Sequence, residues 1–545
     1  MPKYIFVTGG VVSGLGKGIT NASVGLLLRS SGLKVDVVKL DPYLNIDPGT
    51  MSPYEHGEVY VLADGSETDL DLGHYERFLD TELTSTASVT SGKIYSRILD
   101  QEREGKFLGK NVQLIPHVTR YIKHCFVRNS GVDVRLIEIG GSTGDYEGDI
   151  FLESLREFKL EFGKDSFHIH LGYIPFLECS GEYKTKPLQV SLRELSRSGL
   201  QPDVIVARYA KRVDVELSSE NLRKLAMFSN LPPENILALP DLDSIYKVPT
   251  YIKNLKIVDL LSKFLGYSLQ PKLPTFYQKI EKNKFNKSIK IGVVAKYTKL
   301  IDAYLSIFES LKIAGIENSI NVDVVLIDSE KLDAQVKNAE WRKLYEVKAV
   351  IVPGGFGVRG MNGKIQAIKY CRENRIPYLG ICLGLQMAVV EFARNVCKLD
   401  AVSSEMFESR VDLVGKDVII DLMPEQFKTE LKGGTMRLGV YDCNIQQGTL
   451  ARDLFGCDVV QERHRHRLEV QNEYLPLLIS KGMIVSGKHF KSKDRDEHLV
   501  EMIELNQEDH PYFIATQSHP EFLGRPGTPH PLFDGLIKAC LNQKV

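Results

Sequence analysis

Short apolar runs alternate with longer stretches of helical spacing along most of the chain. Residues 4–8 (YIFVT) are apolar, a glycine-rich segment follows, 19–32 (ITNASVGLLLRSSG) spaces its apolar side chains as a helix does, and 34–41 (KVDVVKLD) is apolar again. Strand, glycine turn, helix, strand is the repeating unit of a parallel sheet, whose strands are apolar throughout because both faces are covered. Residues 134–141 (VRLIEIGG) and 203–210 (DVIVARYA) predict two more such strands. The pattern fails over 266–288, where GYSLQPKLPTFYQKIEKNKFNKS carries two prolines and several lysines without a period. Such a stretch predicts a linker. Beyond it the alternation resumes in 289–297 (IKIGVVAKY), 322–328 (VDVVLID), 348–357 (KAVIVPGGFG) and 376–386 (IPYLGICLGLQ). The expectation is two α/β domains, 1–267 and 289–545, joined by a linker at 268–288, with no internal repeat.

Composition narrows the class. A chain of 545 residues exceeds a single core. A net charge of −1 argues against a nucleic-acid binder, which needs a basic excess to neutralise phosphates. The eight cysteines include no C-x-x-C pair, so neither a zinc knuckle nor a disulfide framework is indicated. No apolar run approaches the roughly 20 residues of a membrane span. The first strand meets Gly9-Gly10 too early for a signal peptide. A cytoplasmic enzyme is the expectation.

Two regions carry chemistry. TGGVVSGLGKGIT (8–20) places Lys17 among glycines between a strand and a helix, where backbone N–H groups and an ammonium suit phosphate oxygens. Its spacing departs from G-x-x-x-x-G-K-[ST] by one residue. A bound triphosphate brings Mg²⁺, and Glu138 and Asp71 are the carboxylates on offer. Glu138 ends an apolar strand; Asp71 alternates with Glu67 and Asp69, and the three would share one face if extended, repelling one another unless a cation sits among them. A solvated acidic edge is the plainer reading of Asp71 alone. GEYKTKPLQ (181–189) offers a second anion site through Lys184 and Lys186, or simply surface lysines.

In the second half, LGICLGLQ puts Cys382 at a strand-to-helix elbow, the cysteine counterpart of G-x-S-x-G. SHPEF (518–522) supplies His519 and Glu521, two apart on an extended segment, to take the thiol proton and orient the ring. PGGFG (353–357) can turn an N–H toward an oxyanion. ERHRHR (462–467) is a poor metal site because its arginines repel a cation; an arginine meeting a substrate carboxylate and a charged edge strand are the two readings left.

These segments, together with KLDPYLNIDPGTMSPYEHGEV, DSIYKVP and GGTMRLG, resemble the CTP synthase family over essentially the whole chain. The resemblance implies two three-layer α/β/α domains, a dethiobiotin-synthetase-like phosphate-loop domain and a class I glutamine amidotransferase domain. It implies ATP-dependent amination of UTP to CTP through a 4-phosphorylated UTP, with ammonia from glutamine or free in solution. By the same resemblance, Gly14, Leu15, Gly16, Lys17, Gly18 and Ile19 hold ATP phosphates and Lys17 and Lys39 act at the transferred phosphoryl group. Asp71 and Glu138 ligate Mg²⁺, and Asp241 borders the adenine. Ser13, Lys184, Thr185, Lys186, Pro187, Leu188, Gln189 and Lys224 hold the UTP triphosphate. Asp145, Tyr146 and Glu147 receive the ring of CTP as feedback inhibitor. Cys382, His519 and Glu521 hydrolyse glutamine, which Gly355, Leu383, Gly384, Leu385, Gln386, Glu405 and Arg467 hold, and Arg359 stands in the loop that responds to GTP, an allosteric activator. A homotetramer is implied. Tyr146 stands where the family carries an aliphatic residue, and Leu468 where it carries tyrosine. Two other readings suit the same modules: a cobyrinate-type amidase, and a partition-type nucleotide switch with a relic glutaminase, which is expected to lack Cys382, His519 or Glu521.

Overall fold

Seven strands of the N-terminal half form one wholly parallel sheet. Its order is Ile236–Pro240, Val204–Tyr209, Ser166–Tyr173, Lys3–Gly9, Val134–Ile139, Val35–Asp41 and Ser88–Thr90. The computed structural model describes residues 2–127, 131–213, 215, 217–282, 285, 287–332, 338–423, 426, 433–491 and 497–542. All four apolar runs read from the first half are strands. Ser166–Tyr173 escapes that reading because His168 and His170 interrupt it; both imidazoles are buried. One face of the sheet packs Tyr4, Phe6, Val38, Leu40, Ile137 and Ile139 under helices bearing Phe126, Phe151 and Phe158. The other receives helix Lys17–Arg29, which comes so close that a Cβ on Gly25 would stand 2.6 Å from Leu79 and 2.8 Å from Leu136. Chain order reverses at Lys3–Gly9, between Val134–Ile139 and Ser166–Tyr173. In such sheets a ligand crevice opens at the C-terminal ends of the strands beside the reversal.

The C-terminal half builds a nine-stranded sheet in the order Asn321–Asp328, Ser288–Ala295, Ala349–Val352, Tyr378–Ile381, Phe513–Thr516, His498–Leu505, Met483–Phe490, Arg437–Ile445 and Val459–His466. The first five are parallel and the rest antiparallel. Alternate residues feed two separate cores: Val350 and Val352 join one, Ala349, Ile351, Leu379 and Ile381 the other. Helices therefore cover both faces, which is why these runs are apolar without alternation. Among the described residues no helix is long and apolar enough to cross a membrane.

By its contacts the chain divides into two units, Met1–Asp47 with Asp71–Lys282, and Pro48–Leu70 with Asn283–Val545. This differs from a contiguous division at 268–288 in two places. Residues 48–70 belong with the C-terminal half because hairpin Tyr60–Val61/Glu67–Thr68 is buried there. The fully buried Arg463 donates to Val61 O at 3.1 Å and Tyr60 Oη at 3.3 Å, and Arg465 Nε to Glu67 Oε1 at 2.8 Å. The expected linker contains helix Thr275–Lys282, whose Phe276, Tyr277 and Ile280 are buried, Phe276 against Tyr246 and Tyr277 against Phe78. Two prolines and the lysines mask three apolar residues on one helical face; residues 283, 284 and 286 of that segment lie outside the described residues.

Phe276→Ala should cost about 3–5 kcal/mol, the range for a buried phenylalanine, read as a lowered urea midpoint by circular dichroism. A loss below about 0.5 kcal/mol, as for a surface position, would return the segment to a linker.

Candidate active sites

The turn after Lys3–Gly9 runs straight into helix Lys17–Arg29, with Gly16 left-handed at the helix cap (φ 85°) and Val11 forced to the same φ. Positive φ at a β-branched residue costs energy and marks a turn held for a purpose. The Lys17 stem lies across Gly9, where a Cβ would stand 2.9 Å from Cδ, and Nζ donates to Gly141 O at 2.6 Å. Gly18 backs onto Asp71, which opens helix Asp71–Leu79. Lys39, buried at the end of its strand, pairs with Asp71 and lies 3.6 Å from Asp41. Tyr75 donates to Glu138 and accepts from Asn21 Nδ2 at 3.1 Å.

Two ammonium groups, Lys17 and Lys39, and three carboxyl groups, Asp71, Glu138 and Asp41, thus share the crevice. Burial raises the Glu138 carboxyl to about 7, with Asp71 adding to the rise and Lys39 and Lys17 opposing it. Burial also pushes Asp71 up, but Lys39, His74 and Lys17 outweigh it and hold the carboxyl below its usual range. A dication would relieve the repulsion between these carboxylates. Mg²⁺ takes one or two protein carboxylates and fills its other positions with water and phosphate oxygens. Asp71 and Glu138 are hard oxygen donors of the kind and number Mg²⁺ takes from a protein when it is bound with a triphosphate. The expected shared face of Glu67, Asp69 and Asp71 does not form. Glu67 meets Arg465, Asp69 lies 3.3 Å from His56, and Asp71 already starts a helix.

Arg208, which no motif signals, braces this crevice. Its guanidinium donates to Leu15 O at 3.0 Å and to Asp241 Oδ1 at 2.6 Å. Thr8 Oγ1 bonds His168 Nε2 at 2.7 Å and His170 Nδ1 at 2.8 Å, and His170 Nε2 bonds Ser191 Oγ at 2.9 Å. Burial keeps both imidazoles neutral; for His170, driven down to about 3, Lys17 adds to the effect. Ser191 lies on helix Lys186–Arg197 and presses on Gly10, so the KTKP helix abuts the phosphate turn. Lys184 pairs with Glu182, and Gln189 Nε2 donates to Thr185 Oγ1 at 3.0 Å; Pro187 enters the first helical turn and Leu188 fills the space over Gly172. Ser13 and Gly14 are exposed on the turn, and Ile19 is half-buried. Lys224 sits on another helix, paired with Glu220 at 2.8 Å. Asp145 Oδ2 accepts from Ser142 N at 3.1 Å, while Tyr146, 93% exposed, and Glu147 line a cleft of about 360 Å³ with Pro42, Leu44 and Ile115.

In the other unit, topology assembles the second site. Ala349–Val352, Tyr378–Ile381 and Phe513–Thr516 are neighbours, and their C-terminal ends deliver Pro353-Gly354-Gly355, Cys382 and His519. Cys382 adopts φ 51°, ψ −102°, a strained elbow worth about 1–3 kcal/mol, held by its N–H on Thr516 O at 2.8 Å. Gly354 fits beside both reactive groups: a Cβ there would stand 3.0 Å from His519 Cε1 and 3.5 Å from Cys382 Cβ. His519 Nδ1 bonds Glu521 Oε1 at 2.8 Å across a 3₁₀ turn, not along the extended segment expected, and the ring stacks on Phe522. Burial opposes the imidazolium, yet Glu521 and Cys382 raise the ring to about 10.

These groups open on a cavity of about 400 Å³ whose wall also includes Gly49–Pro53, Glu58, Val59, Gly355 and Arg465. Of the three arginines, Arg465 borders the cavity. Arg463 is buried, and Arg467 bonds Gln426 Oε1 at 2.5 Å and Thr435 Oγ1 at 2.9 Å. Glu405 Oε1 accepts from Gly357 N at 2.6 Å, and Gln386 Nε2 donates to Leu468 O at 3.2 Å. Leu383, Gly384 and Leu385 are buried below the elbow; Arg359 pairs with Glu330 at 2.9 Å. His464 and His466 face the opposite way from the arginines, into a buried network with Arg437, Glu469 and Glu501.

A family model of the CTP synthase N-terminus matches residues 3–267, and one of class I glutamine amidotransferases matches 299–539. The chain is 49% identical over 548 residues to a CTP synthase of Carboxydothermus hydrogenoformans, covering 99% of both chains. It is 48% identical over 551 residues to one of Caldanaerobacter subterraneus and 47% over 552 to one of Methanocaldococcus jannaschii, covering all of this chain and 99% of each relative. With each half matched by its own model and relatives aligned end to end at nearly half their positions, the chain belongs to the CTP synthase family of glutamine-hydrolysing C–N ligases.

Proposed function

We propose that this chain aminates UTP to CTP at the expense of ATP, drawing ammonia from glutamine or from solution. One observation carries the reading: a single chain ends a parallel sheet in a lysine–carboxylate phosphate site and the parallel part of a mixed sheet in a Cys–His–Glu constellation. The uracil O4 leaves poorly as hydroxide and well as phosphate, which is the reason for ATP. The γ-phosphoryl group passes to O4, releasing ADP; ammonia then adds at C4 and phosphate departs. Gly14 to Ile19 cradle the ATP phosphates, Lys17 and Lys39 offset charge at the transferred group, and Asp241 borders the adenine. Asp71 and Glu138 would hold Mg²⁺, which supplies charge neutralisation across the phosphates. Ser13, Lys184 to Gln189 and Lys224 hold the UTP triphosphate; two lysines at a helix N-terminus favour that anion.

In the second site the Cys382 thiolate attacks the glutamine amide carbon. The protonated His519 ring, held charged by Glu521, gives its proton to the departing nitrogen, and the same ring later takes a proton from the water that cleaves the thioester. Gly355 and the N–H groups beginning helix Leu383–Asn395 serve the oxyanion, Glu405, Gln386 and Arg467 shape the glutamine subsite, and Arg465, on the cavity wall, is a further partner for the substrate carboxylate. The family resemblance supports a homotetramer in the cytoplasm, CTP feedback through Asp145, Tyr146 and Glu147, and GTP activation through the loop of Arg359.

Cys382→Ala should abolish glutamine-driven CTP formation and leave ammonia-driven formation within about twofold, since only the thiol step is lost; equal loss of both would refute separate sites. Lys17→Ala should lower CTP formation from either nitrogen source by at least about a hundredfold while glutamine hydrolysis continues in part, and full turnover with ammonia would refute the phosphate assignment. Glu521→Gln removes the main influence that raises His519, so the basic limb of the glutaminase pH profile, set by a ring near 10, should move to lower pH with kcat down at least about tenfold. An unmoved limb would separate Glu521 from the ring's proton.

A further inference from the structure

Lys364 is a charged side chain only 1% exposed, in the first turn of helix Met361–Asn374. Both circumstances are unfavourable. Lysine is almost never fully buried without a partner, and the positive end of a helix repels a cation. No motif explains it, and its helix carries none of the glutamine-handling residues assigned above. Among the described residues its one side-chain hydrogen bond runs to Pro353 O at 3.1 Å, the first residue of the glycine loop, and a Cβ on Gly355 would stand 3.8 Å from its Nζ.

The same loop is gripped twice more. Lys296, at the end of the neighbouring strand, donates to Phe356 O and to Gly357 O at 3.3 Å, and Glu405 accepts the Gly357 N–H. The charged groups facing Lys364 are Lys296, Cys382 and Glu405. Burial, with Lys296 adding to it, pushes the Lys364 ammonium down to about 7, while Cys382 and Glu405 pull it back up. Negative charge appearing at Cys382 therefore favours retention of the Lys364 proton.

We propose that Lys364 is a positioning residue for glutamine hydrolysis: it anchors the oxyanion loop through Pro353 O and sets a buried positive charge behind Cys382. The inference rests on the glutaminase reading, which Cys382→Ala tests independently on the otherwise unaltered enzyme. Lys364→Met removes both the hydrogen bond and the charge; Lys364→Gln keeps a donor for Pro353 O and removes the charge alone.

In the full-length enzyme, Lys364→Met should lower glutaminase kcat by about 10- to 100-fold with little change in KM. Ammonia-driven CTP formation should stay within about twofold and thereby report intact folding. The pH inflection for alkylation of Cys382 by iodoacetamide, read by peptide mass so that Cys179 and Cys457 do not interfere, should rise by about one unit in both variants, because an opposite charge nearby favours the thiolate. Glutaminase kcat within about twofold of the parent in both variants overturns the proposal. So does an unmoved inflection in Lys364→Gln, a readout that survives even where Lys364→Met fails to fold.

Discussion

A strand covered by helices on both faces carries a charge safely only near its ends; inside it a polar group must be neutral and hydrogen-bonded, as His168 and His170 are. Most of what this chain does follows from that constraint. Phe6, Ile137, Ile351 and Leu379 have no room for a charge beside them, so Lys17, Glu138, Cys382 and His519 all stand at or just past C-terminal strand ends. Glycine turns are what permit the chain to leave the sheet and still stay in reach. Gly9 and Gly354 are glycines because a lysine stem and an imidazole lie where their side chains would be.

The two sites handle charge in opposite ways. In the N-terminal unit, cations and anions are packed together: Lys17 and Lys39 against Asp71 and Glu138, leaving a carboxyl near neutrality and a lysine anchored on a backbone carbonyl. Such a cluster is balanced yet hungry for a more concentrated counter-charge, the property a triphosphate with its cation would use. In the C-terminal unit Glu521 and Cys382 both favour the charged form of the His519 ring. The first arrangement neutralises a bound anion; the second moves a proton.

Much of this was legible in the residues alone. The strand runs, the cysteine elbow and the pairing of His519 with Glu521 depend on neighbours in sequence, and short-range patterns capture them. What escaped depends on pairings across the fold. Arg208 reaches Leu15 over 193 residues, His168 and His170 are absorbed by Thr8, and Lys364 matters only because its helix passes beneath Pro353. The RHRHR run was half legible: alternation set its arginines apart from its histidines, but which arginine would border the cavity is decided by the hairpin at Tyr60–Val61. Within the expected linker, prolines and lysines hid a three-residue apolar stripe on helix Thr275–Lys282.

That hairpin also bears on how the polypeptide can be divided. The backbone passes between its two units three times, after Asp47, Leu70 and Lys282, so no single cut separates them. A glutaminase excised at residue 289 would lose Glu58 from Ser306, Glu67 from Arg465, and two oxygens that accept from the buried Arg463 guanidinium. Trimming the second unit to a free-standing enzyme would require splicing residues 48–70 back on.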